Sequence, residues 1–376
     1  MRESPVSVVM AVCDMDRFLA ESIESILAQT WRDFEFVIVD FGSNDRSKSI
    51  VARYAAKDPR IRLSEIARCN LPQARNAACS LAQGKYLAIM DADDVSLPDR
   101  LARQLEFMER HPGVGVVGGA TAWIDAAGRL LWTDFPPLGD HEIKQELAVA
   151  GCPLVHSTAL IRKSAFVRTG GYRVAFALAH DFDLWLRLTE HFPCANLEQV
   201  VSKYRVHSHQ ISSLQRKEQT LCKLAAQASA EFRRKGQPDP AEGVKQITSQ
   251  LLCAWGVTET RQQQDFVSDC QRWIRILSAA GEYSAALKTA LEALKSSDAK
   301  QVGRRQLVDL HLAMARLYWR ELSVWKSFRT AGKAVLLRPA VLGRPLKSLP
   351  RRIGSWLDLY RAGNAPTRAA RSVDLQ

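Results

Sequence analysis

Four aspartates that could bind a cation and a phosphorylated ligand follow apolar segments of this chain. Asp14, Asp40, Asp91 and Asp93 each come shortly after a run of hydrophobic residues. Asp91 and Asp93 are two residues apart, so both carboxylates can face one hard cation, which prefers oxygen ligands and often bridges to a substrate phosphate. This spacing predicts a divalent metal together with a nucleotide diphosphate. Taken alone, the segment DADD also fits a turn with solvated acids before Pro98.

The segments that must position these acids alternate between two patterns. Apolar, strand-like runs occupy 6–12, 34–39, 61–63 and 86–90. Segments with helical spacing of apolar residues occupy 18–27, 47–56 and 72–83. Such alternation predicts an α/β fold with a doubly wound, mostly parallel sheet, Rossmann-like in type. Ligands of open α/β sheets bind at the carboxyl ends of the strands, which is where the four aspartates lie.

Five segments, in this order, resemble the inverting glycosyltransferases of family 2. They are VSVVMAVCDMDRFLAESIESILAQT, FEFVIVDFGSNDRS, the ARN of residues 74–76, GKYLAIMDADDVSLPDRL and HDFDLWLRL. The resemblance spans about residues 5–214. It implies the nucleotide-sugar-binding α/β fold called GT-A and the transfer of a sugar from a nucleotide-diphosphate sugar, with inversion at the anomeric carbon.

The resemblance also implies roles for individual residues on the donor side. Asp40 lies where the family places an acid near the base and ribose, and Asp91 and Asp93 match its metal and ribose motif. Asp93 is the first candidate for a metal ligand, with Mn²⁺ or Mg²⁺ as the cation. Further candidates for donor binding are Ala11, Asp14 and Arg75.

Asp181 matches the family's catalytic base, which takes the proton from the acceptor hydroxyl. A helix that begins near Asp181 places its carboxylate in the first turn, where the helix dipole favours the ionised form that a general base needs. Without the upstream motifs, Asp181 and Asp183 would be read as ordinary acids at a helix start.

Two histidines and two aromatic residues complete the predicted site. His156 resembles a histidine that precedes a strand on the acceptor side, where Tyr172 and Trp185 are also assigned. His207, in the segment YRVH, resembles the family's closing motif, whose histidine approaches the metal or pyrophosphate. A lone histidine is equally consistent with a hydrogen-bonded structural role.

Three positions depart from the family pattern. Phe41 follows Asp40 where the family usually has a second acid associated with reading uracil. A UDP-sugar is therefore favoured as donor, but the sequence does not fix the nucleobase. The aromatic ring of Phe41 could instead stack on a nucleobase. His180 replaces an acid that commonly precedes the base, and Ala11 with Val12 replaces the usual start of the first loop.

Charge is distributed unevenly along the chain. Residues 1–214 hold 24 Lys and Arg against 26 Asp and Glu, whereas residues 215–376 hold 28 against 14. From residue 215 the apolar spacing is helical, and a polar linker at 208–217 precedes it. We expect a catalytic domain at 1–214, a C-terminal helical appendage at 215–325 and a basic amphipathic tail at 326–376.

The tail is the predicted contact with a membrane surface. Between Glu321 and Asp358 the chain contains no acid, while basic and apolar residues are interleaved. This pattern suits an anionic lipid surface. A solvated helical face is the alternative. Nucleic acid is not expected, because no recognised nucleic-acid motif accompanies the charge. The eight basic residues concerned are Lys326, Arg329, Lys333, Arg338, Arg344, Lys347, Arg351 and Arg352.

The remaining composition predicts a cytoplasmic protein, peripheral at the inner face of the cytoplasmic membrane. The eight cysteines include no CxxC pair, and no 18 apolar residues follow one another. The expected partners are a nucleotide-sugar donor and a glycan or lipid-linked sugar acceptor in cell-surface polysaccharide synthesis. A nucleotidyltransferase is one alternative, although it does not explain HDFDLW. A catalytically silent nucleotide-binding or scaffold protein is another, motivated by Phe41, His180 and the helical appendage.

Overall fold

The computed structural model describes residues 5–149, 151–210, 215–296, 302–321 and 323–338. The chain divides into two compact units, Met1–Glu282 and Tyr283–Gln376.

The first unit is built on one mixed sheet. Its strands, in the described part of the chain, are β1 (Val6–Val12), β2 (Phe34–Asp40), β3 (Ile61–Glu65), β4 (Tyr86–Ile89), β5 (Val95–Ser96), β6 (Val116–Ile124), β7 (Leu130–Asp134), β8 (Leu160–Arg162) and β9 (Cys194–Arg205). The order is β3-β2-β1-β4-β8-β6-β9-β5, with β7 on β6. The pairs among β1 to β4 are parallel, as is β6 with β9, and the remaining pairs are antiparallel.

Helices cover this sheet and connect its strands. They are α1 (Leu19–Leu27), α2 (Ser47–Ala55), α3 (Leu71–Leu81), α4 (Arg100–Arg110), α5 (Asp140–Val149), α6 (Lys163–Arg168) and α7 (His180–His191), with a 3-10 turn at His156–Thr158. Helix α3 begins with a capping box in which Asn70 and Gln73 satisfy each other's backbone N–H groups. The predicted alternation of strands and helices over the first ninety residues is confirmed.

The central strands are buried on both faces, which explains their unbroken apolar runs. Val37 and Val39 of β2 belong to one core cluster, whereas Phe36 and Ile38 belong to a second cluster on the opposite face. Because alternate side chains of a strand point to opposite faces, every residue of such a run enters a core. The acids that follow these runs therefore mark the ends of rigid elements.

Three further helices belong to the first unit, although they follow the expected domain boundary at 214/215. They are α8 (Arg216–Arg234), α9 (Ser249–Ala254) and α10 (Glu259–Ala279). Leu224 and Ala225 of α8 share a core cluster with Leu184 and Trp185 of α7. The compact units thus divide after Glu282. The change of net charge at 215 reflects solvated side chains, whereas unit boundaries are set by which apolar faces pack together.

The second unit is helical. It contains α11 (Tyr283–Ser296), α12 (Arg304–Arg320) and α13 (Val324–Leu337), with Ala286, Ala290, Leu310 and Leu317 among its buried residues. The predicted basic tail starts within α13, and its residues 339–376, including Arg344, Lys347, Arg351 and Arg352, lie outside the described residues. In the part of the chain that the structure describes, no helix is long and apolar enough to cross a bilayer.

Candidate active site at the carboxyl edge of the sheet

The loops after β1 and β2 are joined by hydrogen bonds. Val12 pairs with Asp40 at the ends of these parallel strands. Asp14 has a positive φ of 55°, and its Oδ1 accepts a hydrogen bond of 2.7 Å from the backbone N–H of Asn44. Asp14 also pairs with Arg68 at 3.4 Å. The predicted donor-side residues Ala11 and Asp14 thus lie beside the loop that follows Asp40.

Asp40 is buried, and its two carboxylate oxygens differ in their hydrogen bonds. Its Oδ1 accepts hydrogen bonds of 3.0 Å from the N–H groups of Gly42 and Ser43. Its Oδ2 is buried and has no hydrogen-bond partner among the described residues. A buried acceptor without a partner is costly, so Oδ2 is a ready acceptor for an N–H or O–H of a ligand. Phe41 beside it is also buried.

Asp91 is the centre of a network of ionisable side chains after β4. Arg75, on α3, forms an ion pair with Asp91 and also contacts Nε2 of His180. Nδ1 of His156 lies 3.0 Å from Asp91 Oδ2, and Nε2 of the same ring lies 3.0 Å from the hydroxyl of Tyr172. The fold therefore joins Arg75, Asp91, His156 and Tyr172, which are far apart in sequence and were all assigned to the site.

The charges of this network follow from its burial and its partners. Burial favours the neutral form of Asp91, yet Arg75 and His156 outweigh it and hold the pKa of Asp91 well below its usual range. Burial raises the pKa of Tyr172 well above its usual value, so this phenol keeps its proton at hydrogen-bond distance from His156 Nε2. Burial and the Arg75 charge lower the pKa of His180 well below its usual value, so this ring is neutral.

Asp93 and His207 form a second pair nearby. His207 Nε2 lies 3.1 Å from Asp93 Oδ2, and Arg205 donates to the Asp93 carbonyl oxygen at 2.8 Å. Asp94, next in sequence, is buried and accepts a hydrogen bond of 2.9 Å from the Arg205 N–H. Burial, together with Asp93 and Asp91, raises the pKa of Asp94 well above its usual value. Asp94 is thus buried against the backbone of β9, whereas Asp93 retains exposed carboxylate surface.

The side chains of Asp93 and His207 fit a divalent cation whose coordination shell is completed by a substrate. The described residues contain no group of three or more His, Cys, Asp or Glu side chains arranged to hold a metal. One carboxylate and one imidazole are nevertheless adjacent in Asp93 and His207, and Mg²⁺ or Mn²⁺ commonly takes one or two protein ligands plus phosphate oxygens and water. Asp91 is less available, because Arg75 and His156 already engage its oxygens.

Helix α7 presents two acids in its first turn with different surroundings. Asp183 is buried and forms ion pairs with Arg173 and with Arg187, the latter at 2.8 Å. Asp181 is half-buried, and its Oδ1 accepts a hydrogen bond of 2.8 Å from the Phe182 N–H. The structure therefore separates a carboxylate fully engaged in ion pairs from one that retains exposed surface.

Asp181 acts electrostatically on two buried groups, Cys152 and Tyr172. The acid contributes, after burial, to raising the pKa of Cys152 to about 12. Asp91 and Asp181 both act on the phenol of Tyr172 and favour its protonated form. Each of the two carboxylates is therefore close enough to Tyr172 to affect its ionisation.

The predicted acceptor-side residues are all buried. His156 and Tyr172 are hydrogen-bonded to each other, and Trp185 has no exposed surface. The ring of Trp185 lies behind His156, with 6.4 Å between the ring centroids. Trp185 supports the histidine from the core side and has no surface of its own to offer an acceptor in this structure.

Sequence reasoning missed several residues that hold the site together. Asn76 clamps the Tyr172 backbone, donating to its carbonyl oxygen at 2.7 Å and accepting from its N–H at 2.9 Å. Arg205 links the Asp93 carbonyl to Glu21. Asn76 lies inside the ARN segment and Arg205 inside the YRVH segment. Arg75 and His207 of these segments were assigned to the site, so the segments themselves could have indicated Asn76 and Arg205 as well.

Comparison with known proteins identifies the class to which this fold and site belong. The family model described as glycosyl transferase family 2 matches residues 7–170. EpsE of Bacillus subtilis (strain 168), a glycosyltransferase by its name, is 35% identical over 212 residues, covering 54% of this chain and 73% of EpsE. The O-antigen biosynthesis glycosyltransferase WbnJ of Escherichia coli is 31% identical, over 54% of this chain and 80% of WbnJ.

The chain therefore belongs to glycosyltransferase family 2, as the resemblance implied, and it is a transferase with a GT-A fold. A third relative, the amylovoran biosynthesis glycosyltransferase AmsE of Erwinia amylovora, is 30% identical over 52% of this chain and 73% of AmsE. Among solved structures, S. aureus TarS 1–349 in complex with UDP has a TM-score of 0.48 and 15% identity, covering 91% of this chain and 92% of that chain.

Proposed function

We propose that this enzyme transfers a sugar from a nucleotide-diphosphate sugar, with a UDP-sugar favoured, to a hydroxyl of a glycan or lipid-linked acceptor in cell-surface polysaccharide synthesis. The observation that carries the proposal is the difference between the two acids of α7. Asp183 is fully engaged in buried ion pairs, which leaves as the base the half-buried Asp181, the residue after His180, whose ring contacts Arg75. The names of WbnJ and AmsE support the class of acceptor.

The donor nucleotide has candidate contacts along the sheet edge. The unpartnered Oδ2 of Asp40 is suited to accept a hydrogen bond from the N–H of a nucleobase. The positively charged guanidinium of Arg75 contacts one carboxylate, that of Asp91, and one neutral histidine, His180. It is thus suited to face a diphosphate. Ala11 and Asp14 belong to the adjoining first loop and are proposed as further donor contacts.

A divalent cation, Mn²⁺ or Mg²⁺, is proposed at Asp93 and His207, with Asp91 as a further ligand if its ion pair with Arg75 opens. When bound, such a cation stabilises negative charge on the leaving diphosphate. The distance of 3.1 Å between His207 Nε2 and Asp93 Oδ2 supports two ligands from the protein.

The proposed reaction is a direct displacement at the anomeric carbon. Asp181 takes the proton of the acceptor hydroxyl while the acceptor oxygen forms the new glycosidic bond. The bond between the anomeric carbon and the diphosphate oxygen breaks, and the electron pair leaves with the diphosphate. Asp181 lies in the first turn of α7 and is only half-buried, so an acceptor hydroxyl can approach its carboxylate.

The proposal is tested by the binding of nucleotides and by the product. A ligand that binds only the folded state raises the melting temperature. We expect one of UDP, GDP, CDP and dTDP to stabilise the protein in the presence of Mn²⁺, and Asp93→Asn to lose that stabilisation. Proton NMR of the product should show an inverted anomeric configuration. A retained configuration would contradict direct displacement.

Two alternatives predict different assay results. A catalytically silent protein, against which membership of a transferase family argues, would show nucleotide-dependent stabilisation without turnover. A nucleotidyltransferase would instead release pyrophosphate from a nucleoside triphosphate, which a pyrophosphate assay detects.

The second unit is proposed to bind an anionic membrane surface through α13. Trp325, Phe328 and Leu336 are exposed and share one stripe of the helix, since they are spaced by three and eight residues. Exposed Lys326, Arg329 and Lys333 flank that stripe. Such a face suits a helix lying in the plane of a membrane interface. Truncation before Trp325 should release the protein from anionic vesicles, and unchanged co-sedimentation would contradict the proposal.

A further inference from the structure

Helix α7 is joined to α8 by a group of ion pairs, which we call the Asp239 cluster. It lies beyond residue 170, where the match to the family model ends. Its members are Arg173, Asp183, Arg187, Glu190, Ser229, Arg233 and Asp239. Local sequence patterns contain no signal for this cluster, because its members come from four separate segments.

Asp239 binds two arginines with one carboxylate oxygen. Its Oδ2 accepts hydrogen bonds from Arg173 Nη1 at 2.9 Å and from Arg233 Nη1 at 2.6 Å. Its Oδ1 accepts a hydrogen bond of 2.6 Å from the hydroxyl of Ser229. Arg173 also donates through Nε to Asp183 Oδ2 at 3.0 Å. Arg173 is therefore held between Asp239 and helix α7.

The charges of the cluster balance, and burial makes the balance necessary. Three arginines face the carboxylates of Asp183, Glu190 and Asp239. The side chain of Asp183 is 1% exposed. A buried charge is tolerated only with partners, and removal of one partner leaves an uncompensated charge. Each arginine of the cluster therefore has a position that its carboxylates specify.

Two parts of the candidate site are attached directly to this cluster. Tyr172, whose hydroxyl is hydrogen-bonded to His156, immediately precedes Arg173 in the chain. Asp183 lies two residues after Asp181, in the same first turn of α7. The ion pair between Arg173 and Asp183 thus ties the Tyr172 segment to the turn that carries the proposed base.

We propose that Asp239 is a positioning residue for the proposed base Asp181. It fixes the guanidinium of Arg173, which in turn fixes Asp183 and the first turn of α7. The helical part around α8 is therefore a component of the catalytic scaffold. This inference rests on the proposed function, since it takes Asp181 to be the base.

The test compares three variants of the full chain. Asp239→Asn keeps the shape and removes the charge. Arg173→Lys keeps the charge but replaces a planar fork by a single ammonium, which cannot bridge both carboxylates in the same way. Glu231→Gln is the matched control, because Glu231 lies on the same helix α8 and forms an exposed ion pair with Lys235.

For Asp239→Asn and Arg173→Lys we expect kcat per nucleotide-binding site to fall at least tenfold, with the KM for the donor changed less than twofold. Amides of residues 172–183 should exchange with deuterium at least tenfold faster, whereas peptides from β1 and β4 should not change. Glu231→Gln should match the wild type in every measurement.

Unchanged kcat in either variant, or unchanged exchange at 172–183, would overturn the proposal. A lower melting temperature with normal kcat per binding site would also overturn it, because that is the result of a merely structural role. If the wild type itself transfers no sugar, the proposed function fails. The exchange measurement still decides whether Asp239 orders the turn.

Discussion

The two units of this chain use charged side chains in opposite ways. In the first unit, Asp40 and Asp91 at the sheet edge and Asp183 on α7 are buried or half-buried and bonded to specific groups. In the second unit, Lys326 and Arg329 are exposed beside Trp325. Buried charges are restricted to one geometry by their partners, whereas exposed charges act additively and weakly. Single substitutions should therefore have large effects in the first region and small ones in the second.

The largest effect is expected at the proposed base. Asp181→Asn should lower kcat by about 10²- to 10⁴-fold, because a positioned general base contributes about that much. Nucleotide affinity should stay within twofold, since Asp181 is assigned to the acceptor side. Steady-state transfer and nucleotide titration measure the two quantities. Glu198→Gln, at an exposed acid of β9, is the control. Retained turnover in Asp181→Asn would refute its role.

A smaller effect is expected from the charges of α13. The combined variant Lys326→Gln, Arg329→Gln and Lys333→Gln should weaken binding to phosphatidylserine vesicles by roughly 100-fold, at about 1 kcal/mol per basic residue. The loss should be greatest at low salt, where screening is weak. Lys48, Arg53 and Lys57, on or beside α2, provide a matched triple Gln variant. Equal loss in both proteins would indicate attraction by net charge alone.

The Asp239 cluster should make the stability of the first unit depend on pH. Burial opposes ionisation, but Ser229, the Ala241 N–H, Arg173 and Arg233 together lower the pKa of Asp239 from 3.8 to about 2. The stabilisation is therefore complete above pH 3.8 and is lost as the pH falls through 2. With allowance for solvent screening it amounts to about 1–2 kcal/mol.

Asp239→Asn should thus lower the free energy of unfolding at pH 7 by this amount and by little at pH 2. Urea titrations at the two pH values measure this free energy. Hydrogen exchange of α7 peptides serves as the probe of unfolding, so that the titration reports on the first unit. A difference from the wild type that is the same at both pH values would contradict the assignment of the effect to the Asp239 charge.

The smallest effect is expected at the aromatic residues of α13. Trp325 is 85% exposed, so Trp325→Ala should leave the melting temperature unchanged. Binding to anionic vesicles should weaken by about tenfold, the equivalent of about 1.4 kcal/mol of lost apolar burial in the interface. Tryptophan fluorescence of the wild type should shift to the blue on binding. An unchanged partition of Trp325→Ala would show that the apolar stripe does not enter the interface.

Much of the first unit could be predicted from its sequence, because its elements are specified locally. The apolar runs of β1, β2 and β4 and the helical spacing of α1 to α3 determine an α/β arrangement whose acids lie at strand ends. The order of motifs from Val6 to Leu188 indicated family 2 and the GT-A fold. The resemblance singled out Asp181 as the base, but local pattern alone does not separate it from Asp183, since both are acids in the first turn of one helix.

The tertiary structure decided what each of these residues contacts. Arg75 and His156 are bonded to Asp91. Asp183 forms ion pairs with Arg173 and Arg187, which distinguishes it from Asp181. The tertiary structure also placed α8 with the first unit although the net charge changes at residue 215. The physical reason is that hydrophobic periodicity is a local property of the chain. Ion pairs between distant segments, and the faces that α7 and α8 bury together, depend on three-dimensional packing.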